Sequence, residues 1–297
     1  MKVLPFKIPK SEDTILIVQE DRGRTFYEKL HQHEEIQLSY IVAGKGTFIV
    51  GDTIRDFQSD DLLLFGSNVS HVLKSDLSTE QESYMISVFF TQDSFGEHFF
   101  DIPKLQDVKR LLNDARFGIK FQEHQAVFKS LFEAIVQQKN IKRFATFFEL
   151  LAIITESKYE TISSFINTKN YTDDEGKRMS AVFEFVMNHF DQKIVLNEIA
   201  TIANMTPNAF CKYFKQRTNK TFFKFLTEIR IENACKFLTN QSQMSIAEIA
   251  FACGFFNISN FNRKFKEMKG LTPTEFRKRA TSTKFILSDS RKAQCAF

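Results

Sequence analysis

At 297 residues, 43% hydrophobic and 26% charged, the chain has a globular composition and enough length for two domains, which excludes fibrous, disulfide-scaffold and wholly disordered classes. No stretch of about 18 apolar residues occurs and the first ten residues hold no apolar segment of signal length, so no membrane partner is expected and the chain is expected in the cytoplasm. The net charge of +4 conceals an asymmetry: residues 175–280 hold seventeen Lys and Arg against nine Asp and Glu, and residues 1–174 hold twenty against twenty-six, so a polyanion partner is expected for the C-terminal part alone.

From residue 14 to about 90, strand-length apolar runs at 15–18, 36–42, 47–50, 62–65, 69–73 and 84–90 are separated by turn residues. Alternation puts Ile36, Leu38 and Tyr40 on one face and Glu35, Gln37 and Ser39 on the other. The turns are expected at Ala43-Gly44-Lys45-Gly46 and Gly51-Asp52. Short strands at this spacing predict a small β-barrel or sandwich. After Pro103 the pattern becomes helical, through Leu105, Val108, Leu111 and Leu112 and then residues 127–154, and these helices either cover the barrel or form a subunit interface. Residues 157–175 are polar and aperiodic. The predicted division is therefore 1–160 for the first domain, 161–174 for a linker, 175–280 for an all-α domain, and 281–297 for a disordered tail.

The all-α region carries an internal repeat. Ile199, Ala200 and Ala203 return fifty residues later as Ile249, Ala250 and Cys253, while Phe210, Phe214, Lys215 and Thr221 return fifty-one later as Phe261, Phe265, Lys266 and Thr272, so the second copy has one more residue in its turn. Each copy reads as a short helix, a turn and a second helix. Thr206-Pro207 caps the second helix of the first copy, and Gly254 with Asn257 marks the turn and cap of the other. Outward positions are Asn208, Cys211, Lys212 and Lys215 in the first copy and Ser259, Asn260, Asn262, Arg263 and Lys266 in the second. Amides and guanidinium read base edges and lysines neutralise phosphate, so double-stranded DNA is the expected partner. The four cysteines, Cys211, Cys235, Cys253 and Cys295, have neither paired nor metal-type spacing and are expected as small buried or half-buried thiols.

The run Ile246-x-x-Ile249-Ala250-x-x-x-Gly254-Phe255-x-x-x-Ser259-x-Phe261-x-Arg263-x-Phe265-Lys266-x-x-x-Gly270-x-Thr272-Pro273-x-x-x-Arg277 resembles the signature of AraC/XylS-type transcription regulators. The resemblance implies an α+β multidomain chain: a cupin-like β-barrel with flanking helices, then two helix-turn-helix units joined by a long helix, here about 221–239. It implies a homodimer in which both recognition helices enter successive major-groove turns, with Asn208, Cys211 and Lys212 and then Ser259, Asn260 and Arg263 facing bases. A small-molecule effector and RNA polymerase follow as implied partners, with activation as the implied outcome.

His31-x-His33-x-x-x-Gln37, with His71 after the run 61–65, is similar to the cupin barrel that many such regulators carry as a sensor, in which metal-binding members usually hold Glu at the Gln37 position. Strand alternation places His31, His33 and Gln37 on one face. Three readings stand: a metal site, the polar lining of an effector pocket, or ordinary satisfied histidines. The pocket reading, with no metal and no cofactor, is the expectation carried forward. His98, His124 and His189 have no partner spacing. No nucleophile–base arrangement, phosphate loop or carboxylate pair is evident, so no enzyme activity is expected. A metal-dependent cupin oxygenase fused to a DNA-binding domain and a non-specific architectural DNA binder are the alternatives from other classes.

Overall fold

The computed structural model describes residues 15–76, 82–122, 125–165, 173–240 and 243–280, and the tail expected to be disordered lies outside them. The chain forms two compact units, residues 1–184 with 217–219, and residues 185–216 with 220–297.

The first unit is antiparallel β with helices on one side. Its described strands are β1 (Ile17–Gly23), β2 (Ile36–Ala43), β3 (Gly46–Val50), β4 (Thr53–Phe57), β5 (Leu62–Phe65), β6 (His71–Ser75), β7 (Ser83–Phe90), β8 (Ile119–Phe121) and β9 (Tyr159–Thr161). They form a six-stranded sheet ordered β1-β7-β2-β5-β8-β9 and a three-stranded sheet ordered β4-β3-β6. The turn at Gly51-Asp52 closes a two-residue hairpin, with Val50 opposite Thr53 and Gly51 at φ 56°. Pairing in this hairpin holds β4, which the periodicity missed because Thr53-Ile-Arg-Asp-Phe57 alternates poorly. The turn at residues 43–46 joins strands of different sheets, and a Cβ on Gly46 would lie 2.1 Å from the Lys74 carbonyl oxygen, so this corner requires glycine.

Both faces of β2 are buried, and the alternation expected from the sequence holds. Ile36, Leu38 and Tyr40 pack under α1 (Gln106–Asp114), α2 (Gln125–Gln137) and α3 (Asn140–Glu156) in one core that includes Phe128, Phe132, Phe147 and Leu150. The helices after Pro103 therefore cover the sheet. Gln37 and Ser39 lie on the opposite face with Ile41, Leu63 and Phe65, which meets Phe48, Val50 and Phe57 of the smaller sheet. The polar segment expected as a linker begins in regular structure: β9 pairs with β8, Ile162 is buried in the inter-sheet core, and Ser163 donates to Asp52 at 2.6 Å.

The remaining helices are α4 (Asp173–His189), α5 (Leu196–Ile202), α6 (Pro207–Thr218), α7 (Phe222–Asn240), α8 (Ile246–Ala252), α9 (Ile258–Lys269) and a final α10 over residues 273–280. The expected linker helix is α7. Its first half packs Phe222 and Phe225 on Phe210 and Phe214, and its second half packs Ile231, Ala234 and Leu238 with Phe261 and Phe265. One helix thus supplies core to both repeats.

Candidate functional site

Two sets of residues were singled out by sequence, and each is gathered locally by its own unit.

The helix pairs α5–α6 and α8–α9 repeat one another in their backbone turn bonds. In the first turn Asn204 sits at φ 52°, its N–H donating to Thr201 O, and Met205 N donates to Ala200 O at 2.9 Å. Fifty residues on, Gly254 sits at φ 77°, its N–H donating to Phe251 O, and Phe255 N donates to Ala250 O at 2.9 Å. Asn219 and Gly270, fifty-one apart, take the same left-handed conformation after α6 and α9, at φ 55° and 72°. Asn replaces Gly in the first copy because its short polar side chain tolerates that region better than other residues do. The expected extra turn residue is present, since four residues separate α5 from α6 and five separate α8 from α9.

Caps set where each second helix begins. Thr206 Oγ1 accepts from Ala209 N at 3.4 Å, and Asn257 Oδ1 accepts from Asn260 N at 2.9 Å. Ser245 and Glu248 close a full capping box on α8, and those bonds to Ser245 hold the Glu248 carboxyl below the usual range. From these starts Phe210 and Phe214, like Phe261 and Phe265, turn inward and are fully buried. All nine outward residues are exposed: Asn208, Cys211, Lys212 and Lys215 on α6, and Ser259, Asn260, Asn262, Arg263 and Lys266 on α9. Arg263 donates to Asn260 Oδ1 at 3.0 Å, which pre-orients the guanidinium along the face. The sequence reading passed over Phe256 and Ile258, which are exposed at the head of α9. Their signal was available as two apolar residues on either side of the cap residue Asn257, just ahead of the outward positions of α9.

In the barrel, His31, His33, Gln37 and His71 are buried together. Strand alternation is not what assembles them. His31 and His33 precede β2, and His31 is brought in by a backbone bridge to His71, with N–H to O distances of 3.1 and 2.9 Å. Nδ1 of His31, His33 and His71 lies 2.8 Å from the carbonyl oxygens of Lys29, Glu35 and Val69 respectively. Nε2 of His33 and of His71 each lies 3.0 Å from Gln37 Oε1. Gln37 Nε2 donates to Ser39 Oγ at 2.8 Å, and Ser39 shares a 2.7 Å hydrogen bond with Ser87. Ser87 was missed by sequence reasoning, although a serine in the middle of the apolar β7 run is itself a signal. Burial pushes the His31 imidazole down to about 4, and lowers those of His33 and His71 as well, so all three are neutral at physiological pH. Three imidazoles with a carbonyl behind each ring suit a borderline divalent transition metal, so the donor set fits such an ion.

Among the other residues noted, Cys235 and Cys253 are buried free thiols and Cys211 is an exposed one, while Cys295 lies outside the described residues. His98 pairs with Asp101 at the surface and His189 with the Phe185 carbonyl, and His124 lies outside the described residues. No helix among the described residues is long and apolar enough to cross a membrane.

Two sequence families match the chain: an AraC-like ligand binding domain over residues 14–143 and a helix-turn-helix domain over residues 199–279. The chain is 23% identical over 263 residues to the Msm operon regulatory protein of Streptococcus mutans, covering 87% of this chain and 88% of that one. It is 21% identical over 260 residues to the uncharacterized HTH-type transcriptional regulator YdeC of Bacillus subtilis, covering 85% and 87%. Among solved structures, ToxT from Vibrio cholerae aligns over 89% of this chain and 99% of its own at 18% identity, with a TM-score of 0.36.

Proposed function

The chain belongs to the AraC family of DNA-binding transcription regulators, with a ligand-binding domain ahead of a helix-turn-helix domain, and we propose that α6 and α9 are its two recognition helices, reading one specific duplex. Asn208, Cys211, Lys212, Lys215, Ser259, Asn260, Asn262, Arg263 and Lys266 make the contacts, in major-groove turns about 34 Å apart. The observation that carries this reading is the repeated turn geometry, with polar and cationic residues exposed at matching positions of both copies.

A small effector bound in the cupin-like barrel beside His31, His33, Gln37 and His71 controls that binding. A buried polar cluster inside a domain whose family is described as ligand binding supports this. The protein acts in the cytoplasm as a homodimeric activator working through RNA polymerase, and not as an enzyme. A first domain over residues 1–165, a linker over 166–174 and a DNA-binding domain over 175–280 complete the proposal; the pairing of β9 with β8 and the Ser163–Asp52 bond support moving the first boundary from 160.

Arg263→Ala in the full-length chain tests the reading, on an operator selected from random duplexes. A guanidinium bidentate to guanine is worth about 1–3 kcal/mol of discrimination, so specificity should relax at one base pair. Lys266→Ala should weaken all sequences alike and lower the salt slope by about one. Folded Arg263→Ala with unchanged affinities for operator and random DNA would sink the assignment of α9.

A further inference from the structure

The two helix-turn-helix units match in backbone bonds but not in every residue of the turn. Up to Phe255 the copies correspond at a spacing of fifty, since Met205 N donates to Ala200 O and Phe255 N to Ala250 O. From the caps onward they correspond at fifty-one, with Asn257 in the place of Thr206 and Ile258 in the place of Pro207. Phe256 is therefore the inserted residue, with no counterpart in the first copy. Its neighbour Phe255 is buried against Phe261, the ring centroids 5.1 Å apart, and the Asn257 side chain accepts from Asn260 N, so the chain is fixed on both sides of Phe256. Held in this way, Phe256 is 65% exposed and Ile258 41%. Met205 and Pro207, which flank the cap of the first copy, are half-buried.

Residues 256–260 form an unbroken exposed run that leads into the outward positions Asn262, Arg263 and Lys266. Ile258 stands four residues before Asn262 and so on the same face of α9. A phenyl ring and a branched alkyl group left in water favour an apolar contact. Arg263 and Lys266 make the adjoining surface cationic, which suits a polyanion better than the core of a protein interface, where charge is depleted. On the major-groove edge of a duplex the apolar group is the C5-methyl of thymine. The N-terminal end of a recognition helix is the part that meets base edges, and both residues stand there.

We propose that Phe256 and Ile258 are apolar readers of thymine, packing on the C5-methyl groups of one or two thymines in the groove segment under α9, a reading that the first unit lacks. The inference rests on α9 being a recognition helix and adds an apolar element to its amide and guanidinium contacts.

The test uses the full-length chain and an operator selected from random duplexes, in which each thymine is replaced singly by deoxyuridine. This exchange removes the methyl and keeps every hydrogen-bonding group of the base edge. Under α9 the parent should lose about fourfold in affinity at one or two positions, the factor for one buried carbon group of this size. Phe256→Ala and Ile258→Ala, both at exposed positions outside the core, should abolish that loss where each residue reads, so that thymine and uracil duplexes bind alike. Under α6, uracil should affect parent and variants equally. A uracil effect that persists in both variants, or no uracil effect under α9 in the parent, would overturn the proposal. So would variants that weaken thymine and uracil duplexes by one common factor, which puts the side chains against sugars, and variants that bind as the parent does, which leaves the apolar pair to another protein surface. Arg263→Ala on the same duplexes locates the segment under α9 and judges the underlying reading separately. Specificity lost with Arg263 but indifferent to the methyl groups keeps α9 as a recognition helix and removes its apolar readers, whereas no change with Arg263→Ala removes both.

Discussion

A thiol on an open helix face and a thiol in a helical core differ in reach and in acidity. Cys211 is exposed on α6, whereas Cys253 is fully buried and its thiol is pushed up to about 12, chiefly by burial and secondarily by Cys235. In a Cys295→Ser background, a maleimide should label Cys211 and leave Cys235 and Cys253 untouched. Because Cys211 lies between Asn208 and Lys212 on the proposed reading face, saturating operator should protect it. Mass spectrometry of the labelled peptide decides: labelling of Cys211 undiminished by operator would take that residue out of the interface.

At the scale of elements, the two turns make the same shape with different residues, and this difference is measurable. A Cβ on Gly254 would meet the Phe190 carbonyl oxygen at 2.5 Å and Arg230 Nε at 2.9 Å, at a φ that side chains rarely adopt. Arg230 Nε itself donates to Phe190 O at 2.7 Å, so the clash falls on a bond tying α7 to the end of α4. Gly254→Ala is therefore expected to cost more than the roughly 1–2 kcal/mol of the left-handed conformation alone. Asn204→Gly should change stability by less than about 1 kcal/mol, because glycine takes this conformation freely but loses more backbone entropy on folding. Urea unfolding of both variants gives the comparison, and equal costs would contradict the asymmetry.

For the whole molecule, the question is how the first unit associates. Ile141 is 78% exposed at the start of α3, and Ile102 and Val127 are also exposed on the helical side of the large sheet. A homodimer through this unit is expected to bury them. Residues 1–165, ending after β9 and Ser163, should sediment as a dimer at micromolar concentration, and Ile141→Glu should shift it toward monomer by placing a charge in an apolar contact. A parent fragment that is monomeric throughout would contradict the homodimer.

Much of this was legible in advance. The repeat, its longer second turn, the linker helix and the nine outward residues followed from helical spacing and end signals, because a helix is stabilised by neighbours three and four residues away. In the barrel the sequence located most strands, picked out the histidines and separated the two faces of β2, yet it missed β4 and β9.

Sequence by itself determined which residues are inward in each helix-turn-helix unit, since local periodicity and glycine or asparagine at two turn positions suffice to specify that motif. Tertiary structure alone decided what the histidines can do. The His31–His71 bridge, the three carbonyls behind the rings and the Gln37 oxygen come from segments up to forty residues apart in the chain. Their convergence depends on sheet pairing and on a second sheet covering the inner face of β2, and long-range pairing of this kind leaves no local period to read.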